Sequence, residues 1–318
     1  MKKILITGAS GFIGSFLVEK ALEMGWETWA GIRETSSREY LKDTRIHFID
    51  LNYSDQEILQ QQIQSHVAEH GKWDYIIHNA GVTKCIQVSD FFTVNYRYTA
   101  NFVNVLQDTE NVPDKFLLMS SLSVQFPKTT YGLSKLKAEQ YLQFRAKVPY
   151  IIIRPTGVYG PRDKDYLMML KAVKAGFEVT AGFKPQRLTF VYVTDLVQAV
   201  FLALESEWTK KMYIVSDGEV YTDSEYAKLV KKVLEKKSVL RIKVPLFLLY
   251  AVSVLSEFFG KIFKKPSTLN RDKYKIMKQR DWHCSNQALV KDLGFRPEYD
   301  LEKGLKASVE WYKQNKWL

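Results

Sequence analysis

A chain of 318 residues, 46% hydrophobic and 25% charged, has the composition of a globular protein and the length to bury a large core, which excludes a disordered or fibrous chain. Its two cysteines, Cys85 and Cys284, stand far apart without metal-ligand spacing, so no metal site and no disulfide framework are expected, and reduced thiols in a cytoplasmic protein fit that usage. The net charge of +11 arises from basic residues spread along the chain, densest from Lys261 to Arg280; it reads as a solvated basic face, and nucleic acid is not expected as a partner.

In chain order, the N-terminus enters a strand at once, MKKILITG, with no apolar run of the export-signal kind. β-Branched runs mark strands at Lys3–Thr7, Thr28–Ile32, Ile46–Asp50, Tyr75–Asn79, Lys115–Ser120 and Tyr150–Arg154, with a later one at Met212–Ser216. Between them, stretches such as Phe12–Met24 and Thr93–Gln107 carry apolar residues at helical spacing. Strand–helix alternation of this kind predicts an α/β fold, a Rossmann-type doubly wound parallel sheet covered on both faces. The expected division is a cofactor-binding domain over 1–160, its sheet completed by parts of 187–217. A smaller, interwoven substrate lobe is expected over 161–318.

The first strand runs into Gly8-Ala9-Ser10-Gly11-Phe12-Ile13-Gly14, and a helix follows. Glycines allow the tight turn and the close backbone approach that a pyrophosphate at a helix N-terminus needs. The end of the second strand reads Ala30-Gly31-Ile32-Arg33-Glu34. An acid there would favour a free ribose 2′-hydroxyl, whereas an arginine suits a 2′-phosphate. Arg33 therefore favours NADP(H); Glu34 and Ser36 keep NAD(H) open. Further on, Tyr131 and Lys135 stand at i and i+4, one above the other on a helix. A phenol with a pKa of ~10 needs such a neighbouring cation to exchange protons near neutrality.

These motifs, in this order, resemble the extended short-chain dehydrogenase/reductases, the epimerase/dehydratase family, whose signature is close to TGxxGFIG. The resemblance extends along nearly the whole chain. It makes Ser121 of Ser120-Ser121-Leu122-Ser123-Val124 the catalytic serine beside Tyr131 and Lys135, with Ser120 and Ser123 as rivals. It implies cofactor contacts at Gly8, Ser10, Gly11, Phe12, Ile13 and Gly14, and at Asp50 and Leu51, where the family touches adenine. Asn79, Ala80 and Gly81 would line the cofactor, as would Pro155, Thr156 and Val158 beside the nicotinamide. Tyr131 and Lys135 serve both lists, and Asn95 matches the family's helix-borne asparagine, either in a water relay to Lys135 or as a structural hydrogen bond. Asp195, in Val191-Tyr192-Val193-Thr194-Asp195-Leu196, is expected to be structural.

Two reaction classes remain open. Leu122-Ser123 lacks the acid pair of a dehydratase, and the C-terminal third resembles the 3β-hydroxysteroid dehydrogenase and dihydroflavonol reductase branch through Val244-Pro245, Trp282-His283-Cys284-Ser285 and Leu293-Gly294-Phe295-Arg296-Pro297. This favours a ketone or secondary alcohol on a steroid, terpenoid or long-chain lipid. Arg187, near where epimerases hold a nucleotide diphosphate, keeps a nucleotide-sugar epimerase or dehydratase as the alternative. The helix after Pro245 is nearly all apolar from Leu246 to Leu255, with a polar stripe at Ser253, Ser256, Glu257, Gly260, Lys261 and Lys264. It reads as a helix packed on the substrate lobe, or as an apolar lid whose 245–280 region touches a membrane surface. The partners expected are a small-molecule substrate and a second copy in a homodimer, joined through Thr93–Gln107 and Tyr131–Phe144.

Overall fold

The strands β1 (Lys3–Thr7), β2 (Glu27–Gly31), β3 (Ile46–Ile49), β4 (Tyr75–His78), β5 (Lys115–Met119) and β6 (Tyr150–Pro155) are short, and the central ones are buried at nearly every position. Burial on both faces is the mark of a parallel sheet sandwiched by helices. The later strands are β7 (Gly157–Tyr159), β8 (Phe177–Ala181), β9 (Arg187–Leu188), β10 (Phe190–Tyr192), β11 (Lys211–Val215), β12 (Tyr221–Thr222) and β13 (Leu240–Val244). The helices are α1 (Phe12–Glu23), α2 (Gln56–His70), α3 (Ser89–Phe92), α4 (Tyr98–Asp108), α5 (Thr130–Phe144) and α6 (Asp165–Lys174). There follow α7 (Val193–Glu205), α8 (Asp223–Val233), α9 (Leu246–Ile262), α10 (Arg271–Lys278), α11 (Gln287–Leu293) and α12 (Leu301–Gln314). The computed structural model describes residues 1–126, 128–263, 265, 267 and 269–318; Lys264 and the side chain of Lys261, two members of the polar stripe, lie outside the described residues.

The chain divides into two compact units, one of Met1–Arg154 with Val197–Tyr213 and the other of Pro155–Leu196 with Ile214–Leu318. A seven-stranded sheet has the order β11-β6-β5-β4-β1-β2-β3. Neighbours from β3 through β6 run parallel, with Ile4 beside both Thr28 and Tyr75 and Phe116 beside Tyr150. The chain reverses direction across the sheet between β1 and β4, which opens a crevice beyond their carboxyl ends, the usual ligand position of such sheets. Leu5, Ile76, Phe116 and Ile152 of the sheet pack with Ile63, Phe102 and Leu142 of α2, α4 and α5 in the first unit's core.

The predicted helix over Thr93–Gln107 is not uniform: Thr93–Arg97 forms a π turn, and α4 begins at Tyr98. In the second unit, three two-stranded ribbons, β10–β7, β12–β9 and β13–β8, stand where the sequence reads mainly helices and loops. Their core joins Tyr159, Leu170, Phe190, Tyr226, Leu305 and Tyr312. The Tyr312 hydroxyl donates to the carbonyls of Gly160 (2.7 Å) and Asp163 (2.8 Å). Asp195 accepts from the amides of Glu298 (3.1 Å) and Tyr299 (3.0 Å), tying the start of α7 to the loop before α12.

Candidate active site

The turn from β1 to α1 is held by its own backbone: Gly8 N–H donates to Gly31 O at 3.0 Å and Gly11 N–H to Gly8 O at 3.1 Å. A Cβ on Gly14 would stand 2.2 Å from Gly8 O, so only glycine lets α1 start this close to the turn. Gly11 caps α1 in extended geometry with no side-chain acceptor for the first-turn amides. Ser10, Phe12 and Ile13 complete this loop. An uncapped helix start at the sheet's reversal point suits a pyrophosphate, whose oxygens would take those amides. The residues present therefore fit a dinucleotide.

Beyond β2, Arg33 is exposed, and no hydrogen bond or ion pair holds its guanidinium among the described residues. The neighbouring arginine of this loop, Arg38, lies over the Phe48 ring at 4.2 Å. Asp50 accepts from Glu34 N–H at 2.9 Å, which fixes the turn carrying Arg33, and Leu51 is buried.

At the end of β4, a hydrogen-bonded chain sets the backbone of Asn79, Ala80 and Gly81. Ala80 N–H donates to Thr7 Oγ1 (3.0 Å), which also meets His78 Nδ1 (3.0 Å); His78 Nε2 meets Thr99 Oγ1 (3.1 Å), and that hydroxyl donates to Asn95 O (3.1 Å). Because Thr99 gives its proton to Asn95, it accepts from His78, so the imidazole proton sits on Nε2 and Nδ1 accepts from Thr7. Burial, aided by the Lys135 charge, lowers the His78 pKa to about 3. His78 is neutral and braces the strand end.

The π turn aims Asn95 at the same loop. Its Oδ1 accepts from Val82 N–H (2.8 Å), and its Nδ2 donates to Val82 O and Ser134 Oγ (both 3.0 Å).

The Thr129 hydroxyl caps α5 by accepting from Gly132 N–H at 2.9 Å. One turn of helix then brings Tyr131 and Lys135 to one face. Lys135 is buried and donates from Nζ to Met119 O at 2.9 Å. Desolvation lowers its pKa to about 8, against a raising pull from Glu139. Tyr131 shares a side-chain hydrogen bond with Ser121; burial raises the phenol's pKa, and this bond lowers it. Ser121 also accepts from Ser123 N–H at 3.2 Å at the start of a single 3-10 turn, Leu122–Gln125.

Ser120, the rival, is engaged elsewhere. Its hydroxyl donates to Glu139 Oε1, and Arg154 grips the same carboxylate with Nε at 3.0 Å and Nη2 at 2.5 Å. This fully buried carboxylate is the part that sequence reasoning missed. Two signals were available: a glutamate four residues beyond Lys135, and an arginine at the end of an apolar strand.

Pro155, Thr156 and Val158 belong to the second unit. Thr156 N–H donates to Val215 O at 3.1 Å, and Val158 pairs with Val191. The Thr156 hydroxyl is buried with no hydrogen-bond partner among the described residues, as suits a group awaiting a ligand. Arg187, in the same unit, pairs with Asp281 at 3.3 Å.

A parallel sheet of this order with a glycine turn at its reversal point, and a serine, tyrosine and lysine drawn together beside it, defines the class of nicotinamide-dependent Rossmann enzymes. The profile of the NAD dependent epimerase/dehydratase family matches residues 4–216, and the chain belongs to that family. It is 22% identical over 320 residues to a ceramide reductase of Caulobacter vibrioides, covering 99% of this chain and 96% of the relative. A putative UDP-glucose 4-epimerase of Methanocaldococcus jannaschii is 23% identical over 337 residues, with 98% and 99% covered. Among solved structures, UDP-glucose 4-epimerase of Thermotoga maritima, with UDP-glucose, superposes with a TM-score of 0.78 at 20% identity over 99% of each chain.

Proposed function

We propose that this protein is an NADP(H)-preferring oxidoreductase that interconverts a ketone and a secondary alcohol on an apolar, lipid-like substrate. The observation that carries the chemistry is the hydrogen bond between Tyr131 and Ser121 beside the buried ammonium of Lys135. When bound, the nicotinamide supplies or takes up the hydride. The glycine turn of residues 8–14, Asn79–Gly81 and Lys135 would hold the cofactor, with Arg33 on its 2′-phosphate and Asp50 and Leu51 at its adenine.

In the reducing direction, Ser121 donates to the substrate carbonyl oxygen and orients it. Tyr131 gives its proton to that oxygen as negative charge develops there, and Lys135 stabilises the phenolate left behind. Oxidation reverses each transfer.

The substrate class is supported by the likeness of the C-terminal third, through Val244-Pro245 and Trp282-His283-Cys284-Ser285, to the hydroxysteroid dehydrogenase branch. It is further supported by the ceramide reductase among the relatives. Arg187, the residue that argued for a nucleotide diphosphate, is engaged by Asp281, and Leu122-Ser123 offers no acid pair to a dehydration. The test is to follow NADPH oxidation with steroidal and long-chain ketones beside product analysis with UDP-glucose. Oxidation with the apolar ketones and no sugar conversion is expected. Interconversion of UDP-sugars on retained NAD, with no ketone consumed, would replace this reading with the epimerase.

A further inference from the structure

Helix α9 is folded inside out. Its inward positions are Leu249, Ser253, Ser256, Glu257 and Gly260, and most of what they meet is polar. The hydroxyls of Ser256 and Ser267 share a hydrogen bond of 2.8 Å, Arg271 Nη2 lies 2.8 Å from Glu257, and Lys265 N–H donates to Gly260 O at 2.9 Å. On the outer side, Phe247 is 77% exposed, Phe258 59%, Phe259 51% and Phe263 69%. A helix on a globular protein ordinarily turns its apolar stripe to the core. Here Ser253, Ser256, Glu257 and Gly260 of the polar stripe face inward, and the phenylalanines face out.

The β8–β13 ribbon repeats the inversion. Register sets Phe177 beside Leu240 and Val179 beside Ile242, and all four are exposed. The alternate residues Glu178 and Arg241 form an ion pair of 2.8 Å. Apolar surface this extensive on one unit marks an interaction site.

Charge says what covers it. Lysines and arginines are spread along the chain, but their excess over acids is concentrated in one segment. Residues 236–280 hold twelve basic side chains against two acids, Glu257 and Asp272, a net +10 out of the whole chain's +11. Both acids already have partners, in Arg271 and Lys275. Exposed phenylalanines in a segment this rich in lysine and arginine match acyl chains beneath anionic headgroups. A second copy of the chain would bring +10 against +10. A spanning helix needs ~20 apolar residues; α9 has 17 with Glu257 among them, and no helix among the described residues is long and apolar enough to cross a membrane.

We propose that the outer side of α9, the β8–β13 ribbon and the surrounding lysines seat this protein on the surface of an anionic lipid bilayer. The seat is separate from the reaction and holds for either substrate class.

The full chain is incubated with vesicles of phosphatidylcholine, or of phosphatidylcholine with phosphatidylglycerol, and bound protein is measured by co-sedimentation. Binding to the anionic vesicles is expected, at least roughly ten-fold tighter than to the neutral ones and weakened by salt. The triple variant Phe247→Ser, Phe258→Ser, Phe259→Ser is expected to lose binding while its NADPH titration is unchanged. Lys275→Glu with Lys278→Glu is expected to weaken anionic binding roughly ten-fold or more. Should the phenylalanine variant fail its NADPH titration, the lysine variant and the two vesicle compositions decide the matter. Three results overturn the proposal: no binding to either vesicle, equal binding to both, or a wild-type dimer in sedimentation equilibrium that the phenylalanine variant dissolves.

Discussion

Lys135 reaches its place because residue 81 has no side chain. A Cβ on Gly81 would stand 3.0 Å from Lys135 Nζ and 2.9 Å from Asn95 Oδ1. Gly81→Ala must therefore push the ammonium off Met119 O or part Asn95 from Val82. Both contacts are with the ends of flexible side chains, which a shift of a few tenths of an ångström relieves, so a loss in kcat smaller than the roughly hundred-fold of a full ångström's misplacement is expected. The stability cost is expected to stay near the ~1–3 kcal/mol of an overpacked site. Kinetics beside thermal melting separate the two, and an intact kcat would show that the space is not needed.

The same ammonium sets a pH dependence. Burial lowers the Lys135 pKa to about 8, so the group is charged below that pH and neutral above it. In the proposed mechanism its charge holds the Tyr131 phenolate, so kcat/KM for ketone reduction is expected to fall as pH rises through about 8. In Lys135→Arg, whose guanidinium does not titrate, that falling limb should disappear even if the rate is lower. Tyr131→Phe removes the proton itself and is expected to cost ~10²–10⁴-fold at every pH.

Arg33 is the test of cofactor choice. Removing a charged hydrogen bond costs ~1.5–3 kcal/mol, so Arg33→Ala should weaken NADPH by roughly ten- to a hundred-fold and leave NADH nearly untouched. Fluorescence titration of both cofactors reads this directly. Parallel losses would mean that Arg33 does not read the phosphate.

The pair behind Ser120 is expected to behave as one unit. Glu139→Leu or Arg154→Met alone strands a buried charge, at ~3–5 kcal/mol in denaturant unfolding; the double variant should cost less than either. Additive losses would deny that the two are coupled.

In the second unit, Asp217 is buried and its pKa is raised from 3.8 to about 6 by desolvation, against hydrogen bonds from Glu219 N–H and the Tyr221 hydroxyl. The folded form binds a proton that the unfolded form has already released. This stabilisation is complete below about 3.8 and is lost as pH rises through about 6. Asp217→Asn is thus expected to gain on the wild type by up to ~2 kcal/mol at neutral pH, with the gap closing toward pH 4. Urea midpoints across that range check the sign.

What the sequence could tell followed from how local the information was. The glycine turn and the Tyr131–Lys135 pair are short-range patterns, and the structure places them at a strand–helix junction and on one helix face. The alternating strands gave the parallel sheet. The resemblance puts Ser121 ahead of Ser120; the sequence does not show that Glu139 and Arg154 meet at the first of them, because only the fold brings them there. Ribbons of two to five residues leave too short a period to read, hence the missing β7–β9, β12 and β13, whereas β10 was legible as the strand leading into α7. Helix α9 shows a different limit. Periodicity reveals that a polar stripe exists but not which way it faces, and its Ser253, Ser256, Glu257 and Gly260 face inward.

The discontinuity of the first unit bears on how the chain is made. Strand β6 obtains its outer neighbour only from residues 211–215, after the whole of 155–196 has been added. Until residue 211 leaves the ribosome, the nascent sheet ends on an open row of β6 amides and carbonyls, the kind of edge that recruits strands from other chains. Synthesis halted between residues 155 and 210 would release that edge unguarded.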